Sequence, residues 1–276
     1  MFRRIGIVSR VDLNEALKLA NDIANYLSRR KVEVILEEEL AKALKLNLGK
    51  VIAEMDADLI LTIGGDGTIL KTCMHIPRSE TPILSIDMGR RGYLTEVPPE
   101  RAFKAIDDCL AGRYNLEEHS KLSVFHEGKF LIDGLNEALI ISKVPFKTLN
   151  FDVTVGDSKL VELRADGLII ATPTGSTAHA FSAGGPILET SLNALDLVFI
   201  CPLKAIRSIV VSDRLEVKVK VLDGEFGAMI VVDGCYRREI PPSSTISMRK
   251  SERKAVFVRF ETKFLSKRLS RLISRV

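Results

Sequence analysis

The stretch LILTIGGDGTILKTCMHI spans residues 59–76. An apolar run, Leu59, Ile60, Leu61 and Ile63, drives into Gly64, Gly65, Asp66, Gly67 and Thr68, and a second apolar segment follows at once. This reads as a buried strand, a glycine turn and a helix. A strand of a parallel sheet ends at the sheet's carboxyl edge, where α/β proteins bind ligands. Glycines there let the backbone approach a ligand closely. The helix predicted from near Thr68 aims its unpaired N–H groups and positive dipole end into the same space. Together these features make a cradle for phosphate, although neither GxxxxGK(S/T) nor GxGxxG is present. Asp66 is the odd member, because a carboxylate repels phosphate. It belongs there if it holds a hydroxyl nucleophile or a phosphate-bound Mg²⁺, and both roles are those of phosphoryl transfer. On the pentapeptide alone, an ordinary strand-to-helix turn with Asp66 as its cap stands equally open.

Outward from this turn, the first hundred residues alternate strand and helix. RRIGIVS reads as a strand, and Asp12 stands where the next helix should have its N-cap. Leu13, Ala16, Leu17, Ala20, Ile23, Ala24 and Leu27 fall on one face of that helix. KVEVIL is a second strand, residues 58–63 a third and Thr81 to Ile86 a fourth. PPERAFKAIDDCLAGR is a helix, with Pro99 near its start and Gly112 at its end. Such alternation implies a parallel sheet covered by helices on both faces.

Near residue 113 the texture changes. Short alternating runs, among them LSVFHEG, KFLIDG, LNFDVTVG, KLVELRADG, SIVVSD, RLEVKVKVL, AMIVVDG and KAVFVRF, are separated by turn signals such as HEGK and VGDSK. They predict an all-β sandwich. The expected organisation is an α/β domain over 1–112 with a parallel Rossmann-like sheet, an all-β domain over 113–258, and a carboxyl-terminal amphipathic helix over 259–276. In that helix Phe260, Phe264, Leu265, Leu269, Leu272 and Ile273 form a stripe, with Lys263, Lys267, Arg268, Arg271 and Arg275 off it. It could lie on a membrane surface; the reading preferred is a helix docked on the body with a solvated basic face.

Composition narrows the class. The 276 residues are 46% apolar and 28% charged, enough for a sizeable core. Lys plus Arg number 40 and Asp plus Glu 36, and an excess of +4 does not point to nucleic acid. No segment approaches the roughly 18 apolar residues of a membrane span. The amino terminus has no apolar stretch of signal-peptide length. Four scattered cysteines without a CxxC suit a reducing cytoplasm, and the four histidines have no metal-ligand spacing, so no metal ligands are assigned.

A second constellation decides between the readings of the glycine turn. Residues 164–188 read RADGLIIATPTGSTAHAFSAGGPIL. A strand, Leu168 to Ile170, runs into Thr172, Thr174, Ser176, Thr177 and Ser182, with Gly175, Gly184 and Gly185. Hydroxyls and exposed amides at this density suit a polyhydroxyl, phosphorylated ligand. A surface loop would not carry Ala178, Ala180, Phe181, Ala183, Pro186, Ile187 and Leu188.

GGDGT at 64–68, GRRGYLTE at 89–96, LNEALI at 135–140 and DGLIIATPTGSTAHAFSAGGPIL at 166–188 together resemble the NAD kinase family. The first motif is shared with other kinases, whereas the last is highly specific; motif order and layout match over nearly the whole chain. The resemblance implies transfer of the γ-phosphate of ATP, or of polyphosphate, to the 2′-hydroxyl of the adenosine ribose of NAD, giving NADP. Mg²⁺ is expected to arrive with the phosphoryl donor. The family's dinucleotide pocket is shared between subunits, which implies a homodimer or homotetramer, and no nucleic-acid or membrane partner is expected.

Carried over by position, Asp66 is the base that takes the 2′-hydroxyl proton, with Gly67 beside the dinucleotide. Gly64, Gly65 and Thr68 help form the phosphate site. Asn136 and Glu137 grip the dinucleotide, since an amide and a carboxylate suit base edges and ribose hydroxyls. Lys147, eleven residues past Asn136, falls where the family often has a basic residue. Arg164 and Asp166 flank the next part of the site, and Thr177, Ala178, His179, Ala180, Phe181 and Ser182 line the pocket. Four positions depart from the pattern or vary within it: Asp87 stands for the usual Asn, His179 for the usual Tyr, Lys71 occupies a variable place, and Cys235 lies near a common Gln or Arg. Competing readings are a lipid or sugar kinase, a non-catalytic dinucleotide sensor, and a bifunctional kinase with a phosphatase domain. The SAGGP region argues against the first, Asp66 against the second and chain length against the third.

Overall fold

The computed structural model describes residues 2–89, 92–223 and 227–260. The chain divides into two compact units, one formed by residues up to 118 together with those from 255 on, the other by residues 119–254. The tail beyond Phe260, where the amphipathic helix is expected, lies outside the described residues.

In the first unit β1 (Arg4–Ser9), β2 (Glu33–Leu36), β3 (Leu59–Gly64) and β4 (Ile83–Asp87) pair in the order β2-β1-β3-β4, all parallel. Helices α1 (Asn14–Arg29), α2 (Glu38–Ala43), α3 (Asp66–His75) and α4 (Ala102–Leu110) connect or follow them. Ile5, Ile7, Leu59 and Leu61 share one core with Ala16, Ala20, Ile23 and Leu27 of α1 and Ala105 and Ile106 of α4. The intervening position Gly6 faces the other way, where an added Cβ would meet Met55 and Ile60. Alternate residues of one strand therefore serve two covered faces, which is why these strands read as unbroken apolar runs.

Two predicted boundaries move. Asp12 does not cap α1; the helix opens at Asn14 after Leu13 without a side-chain cap, and Asp12 instead accepts two hydrogen bonds from Arg10. The helix expected near Thr68 begins at Asp66, so the carboxylate sits in its first turn.

The second unit is antiparallel throughout its described ladders. Its strands are β5 (Asn115–His126), β6 (Lys129–Gly134), β7 (Glu137–Ser142), β8 (Leu149–Val155), β9 (Ser158–Ala165), β10 (Gly167–Ala171), β11 (Ala194–Ile200), β12 (Ser208–Ser212), β13 (Val217–Asp223), β14 (Ala228–Val232), β15 (Tyr236–Ile240) and β16 (Thr245–Arg259). One layer of the sandwich runs β12-β11-β10-β7-β14-β15; the other contains β16-β13-β8-β9, with β5 pairing β16 and β6. The short helix α5 (His179–Ser182) packs its Ala180 on Ile169, Ala171 and Val198. β5 and β16 are the two strands in which the chain passes from one unit to the other: β16 begins in the second and ends in the first, where Phe257 pairs in parallel with Ile83.

Candidate functional site

The site residues read from the sequence fall in both units. In the first, β3 ends at Gly64 on the carboxyl edge of the parallel sheet, level with Asp87 at the end of β4. Gly65 is the N-cap of α3, and the Thr68 and Ile69 amides bond back to its carbonyl at 3.1 and 3.4 Å. Gly64 is a matter of space: an added Cβ would lie 2.2 Å from Thr68 Oγ1. Around Gly65 and Gly67, among the described residues and apart from their chain neighbours, no atom lies within 4 Å of an added Cβ, which leaves room beside the turn. The Asp66 carboxylate accepts the Tyr93 amide at 2.9 and 3.1 Å and the Leu94 amide at 2.9 Å. These bonds fix its direction while leaving the side chain partly exposed. Asp87 accepts the Gly89 amide at 2.9 Å.

Lys71, a turn beyond Asp66, is engaged elsewhere. Its ammonium pairs with Glu37 at 2.8 Å and Glu39 at 2.6 Å. Burial pushes the Glu37 carboxyl up against the pull of that ammonium.

In the second unit Asn136 and Glu137 stand where β7 begins, both nearly buried. Asp233 holds them. Its carboxylate accepts the amides of Leu135 at 2.6 Å, Asn136 at 2.7 Å and Glu137 at 3.1 Å. Burial raises Asp233, while those amides and Lys121 draw it back. Burial also pushes the Glu137 carboxyl up to about 8, with the Asp233 charge adding to it. The Asn136 carbonyl accepts the Thr172 amide at 2.8 Å, and Thr172 Oγ1 donates to the Leu135 carbonyl at 2.6 Å. The hydroxyl-rich loop is thereby laced to the start of β7. It continues through a 3₁₀ turn at Gly175–Thr177 into α5. Along it Thr177 and Ala178 are half-buried, Ala180 is buried, and His179, Phe181 and Ser182 are exposed.

Lys147, Arg164 and Asp166 are at the other end of the same strands. Ala171 pairs with Glu137, but Gly167 pairs with Ile141, four residues along β7, about 13 Å away. Asp166 lies just before Gly167, and Lys147 is in the loop leading to Leu149, which pairs with Ala165. The second unit thus carries two separate groups of candidate residues. Sequence reading missed Asp233; its signal was the Asp-Gly pair in VVDGC, with Asp233 at φ 50° and Gly234 at φ 68°. It also missed Asp196, which lies beside Ala171 in the same cross-strand row as Glu137 and whose carboxyl burial pushes up to about 6.

Among the described residues, no three acidic, histidine or cysteine side chains converge as a metal site. No helix among them is long and apolar enough to cross a membrane.

Comparison with known proteins agrees in both units. The ATP-NAD kinase N-terminal domain profile matches residues 5–114, and the ATP-NAD kinase C-terminal domain profile matches residues 135–260. The NAD kinase of Methanothermobacter thermautotrophicus is 45% identical, over 98% of this chain and 96% of its own length. An NAD kinase from Archaeoglobus fulgidus, solved in complex with ATP, superposes with a TM-score of 0.78 at 29% identity, covering 99% of this chain and 100% of that one. Yeast NADH kinase, solved with NADH, shares the fold at a TM-score of 0.89 and 20% identity, over 99% of this chain and 88% of that one. With both domain profiles matched and a relative this similar over nearly its full length, the chain belongs to the NAD kinase family.

Proposed function

We propose that this protein is an NAD kinase that transfers the γ-phosphate of ATP to the 2′-hydroxyl of the adenosine ribose of NAD, giving NADP. The observation that carries the mechanism is the placement of Asp66. It opens a helix at the carboxyl edge of a parallel sheet, is aimed by two backbone amides, and sits between glycines with open space beside them. Asp66 takes the 2′-hydroxyl proton as the ribose oxygen bonds to the γ-phosphorus and the bond to the departing ADP oxygen breaks. Gly64, Gly65 and Thr68 form the phosphate site, and Gly67 lies beside the dinucleotide. Asn136 and Glu137 hold the nucleoside, with Thr177 to Ser182 along the wall. Mg²⁺ would come with the donor, held chiefly by the donor's phosphate oxygens, while Asp66 serves the 2′-hydroxyl. When bound, the ion would neutralise charge on the transferring phosphoryl group.

The two separated groups of candidate residues support a homodimer or homotetramer, in which Lys147, Arg164 and Asp166 of one subunit complete the pocket around Asn136 and Glu137 of another. Four cysteines far apart in the sequence and without a CxxC support a reducing, cytoplasmic setting.

The test is to incubate the protein with NAD, Mg²⁺ and either ATP or polyphosphate and to follow NADP with an NADP-specific dehydrogenase. Asp66→Asn keeps an oxygen for the Tyr93 and Leu94 amides but cannot take a proton. It should cut turnover by about 10²–10⁴-fold while NAD binding survives. Near-normal turnover would remove Asp66 from the chemistry.

A further inference from the structure

Arg10 follows β1 directly, and β1 lies beside β3. In the order β2-β1-β3-β4 the chain winds outward in opposite directions from the β1–β3 pair. That pair is the topological switch point, where a parallel sheet opens a crevice at its carboxyl edge. The Arg10 amide donates to the Ile63 carbonyl at 2.9 Å. Its side-chain stem lies over the glycine turn, with Cγ 3.0 Å from where a Cβ on Gly64 would be. The guanidinium ends in a two-pronged bond to Asp12, Nε to Oδ1 at 3.0 Å and Nη2 to Oδ2 at 2.6 Å. Both side chains are open to solvent, 41% and 67% exposed. An exposed pair of this kind adds little to stability. The fork that grips a carboxylate in this way grips a phosphate equally well. The cation on α3, Lys71, is already committed to Glu37 and Glu39.

We propose that Arg10 clamps the donor phosphates, and that Asp12 occupies its fork until ATP arrives. The inference rests on the kinase reading above. Phosphates at this turn place negative charge beside the Asp66 carboxylate, and a guanidinium anchored on Gly64 offsets it. Arg10 exchanges the Asp12 carboxylate for phosphate oxygens, so the two residues act on ATP in opposite directions.

The experiment measures ATP binding to the intact chain by calorimetry with Mg²⁺, alongside KM for ATP and for NAD. Arg10→Gln should weaken ATP binding and raise its KM by about tenfold or more, with NAD affinity unchanged. Arg10→Lys should restore only part of the loss, since an ammonium lacks the fork. Asp12→Asn should tighten ATP binding severalfold. A purely structural Arg10–Asp12 pair would make both neutralised variants fail alike, and equal weakening by Arg10→Gln and Asp12→Asn overturns the proposal. So does unchanged ATP affinity in Arg10→Gln, even if NADP forms at the normal rate. If ATP binding falls in Arg10→Gln while the intact protein forms no NADP, the clamp stands and the kinase reading falls.

Discussion

A Cβ on Gly175 would lie 2.1 Å from the Asn136 carbonyl oxygen and 2.7 Å from its Cα, so backbone meets backbone there. Gly175→Ala should destabilise the protein by about 1–3 kcal/mol and weaken NAD binding, because the residue that must yield is Asn136 itself. Denaturant unfolding and NAD titration check both. Glu137 sets a pH dependence of definite sign. Its carboxyl, ordinarily near 4.5, is pushed up to about 8 in the folded protein. Unfolding therefore releases its proton across that interval, and stability from this group is lost as pH rises through it. Glu137→Gln should gain melting temperature relative to the parent between those pH values and show no trend below them. A pH-independent difference would mean that the folded carboxyl is already ionised. At this scale the sequence was legible where a residue type is rare for its setting: Asp66 among glycines, hydroxyls after an apolar strand. Asp233 escaped because one carboxylate serving three amides is invisible until strand and turn come together.

The start of β7 shows how an element positions chemistry. The amides at its start, those of Asn136 and Glu137, donate to the Asp233 carboxylate. Asp233→Asn keeps a residue tolerant of its left-handed backbone but offers the amides a single neutral oxygen. Hydrogen exchange at Leu135, Asn136 and Glu137 should speed up, with a cost of about 1–3 kcal/mol locally and weaker NAD binding. Unchanged protection would remove Asp233 as the support. The parallel strands and their helices were plain in the sequence because their apolar runs are long and their helical faces regular. β7, β11 and β15 were not among the runs singled out. β11 is buried on both faces from Leu195 to Phe199, which removes the alternation that marks a half-exposed strand. The boundary of α1 moved because Arg10 competes for Asp12.

At the scale of the whole molecule, the first unit draws on both ends of the described chain. Val258 is buried in the core built by β1, β3, β4, α1 and α4. Arg259, 3% exposed, pairs with Glu117 at 2.5 Å and Glu96 at 3.2 Å and donates to the Leu94 carbonyl at 3.2 Å. Arg259→Ala leaves two carboxylates facing each other without their cation, which should cost about 3–5 kcal/mol. The chain has no tryptophan, so hydrogen exchange by segment is the suitable readout. Protection should fall in β3 and β4 and hold in β10 and β11; an equal fall in both would mean that the two units unfold as one.

The discontinuity also orders events during translation. The ribosome delivers β1 to β4 first and the segment Ala255–Arg259 after the entire second unit. Until then β4 has no Phe257 beside Ile83 and remains an open edge, the kind of edge that recruits other chains. The amino-terminal half of a nascent chain paused before Ala255 is therefore expected to keep that edge open, and the edge closes only once β16 has been made.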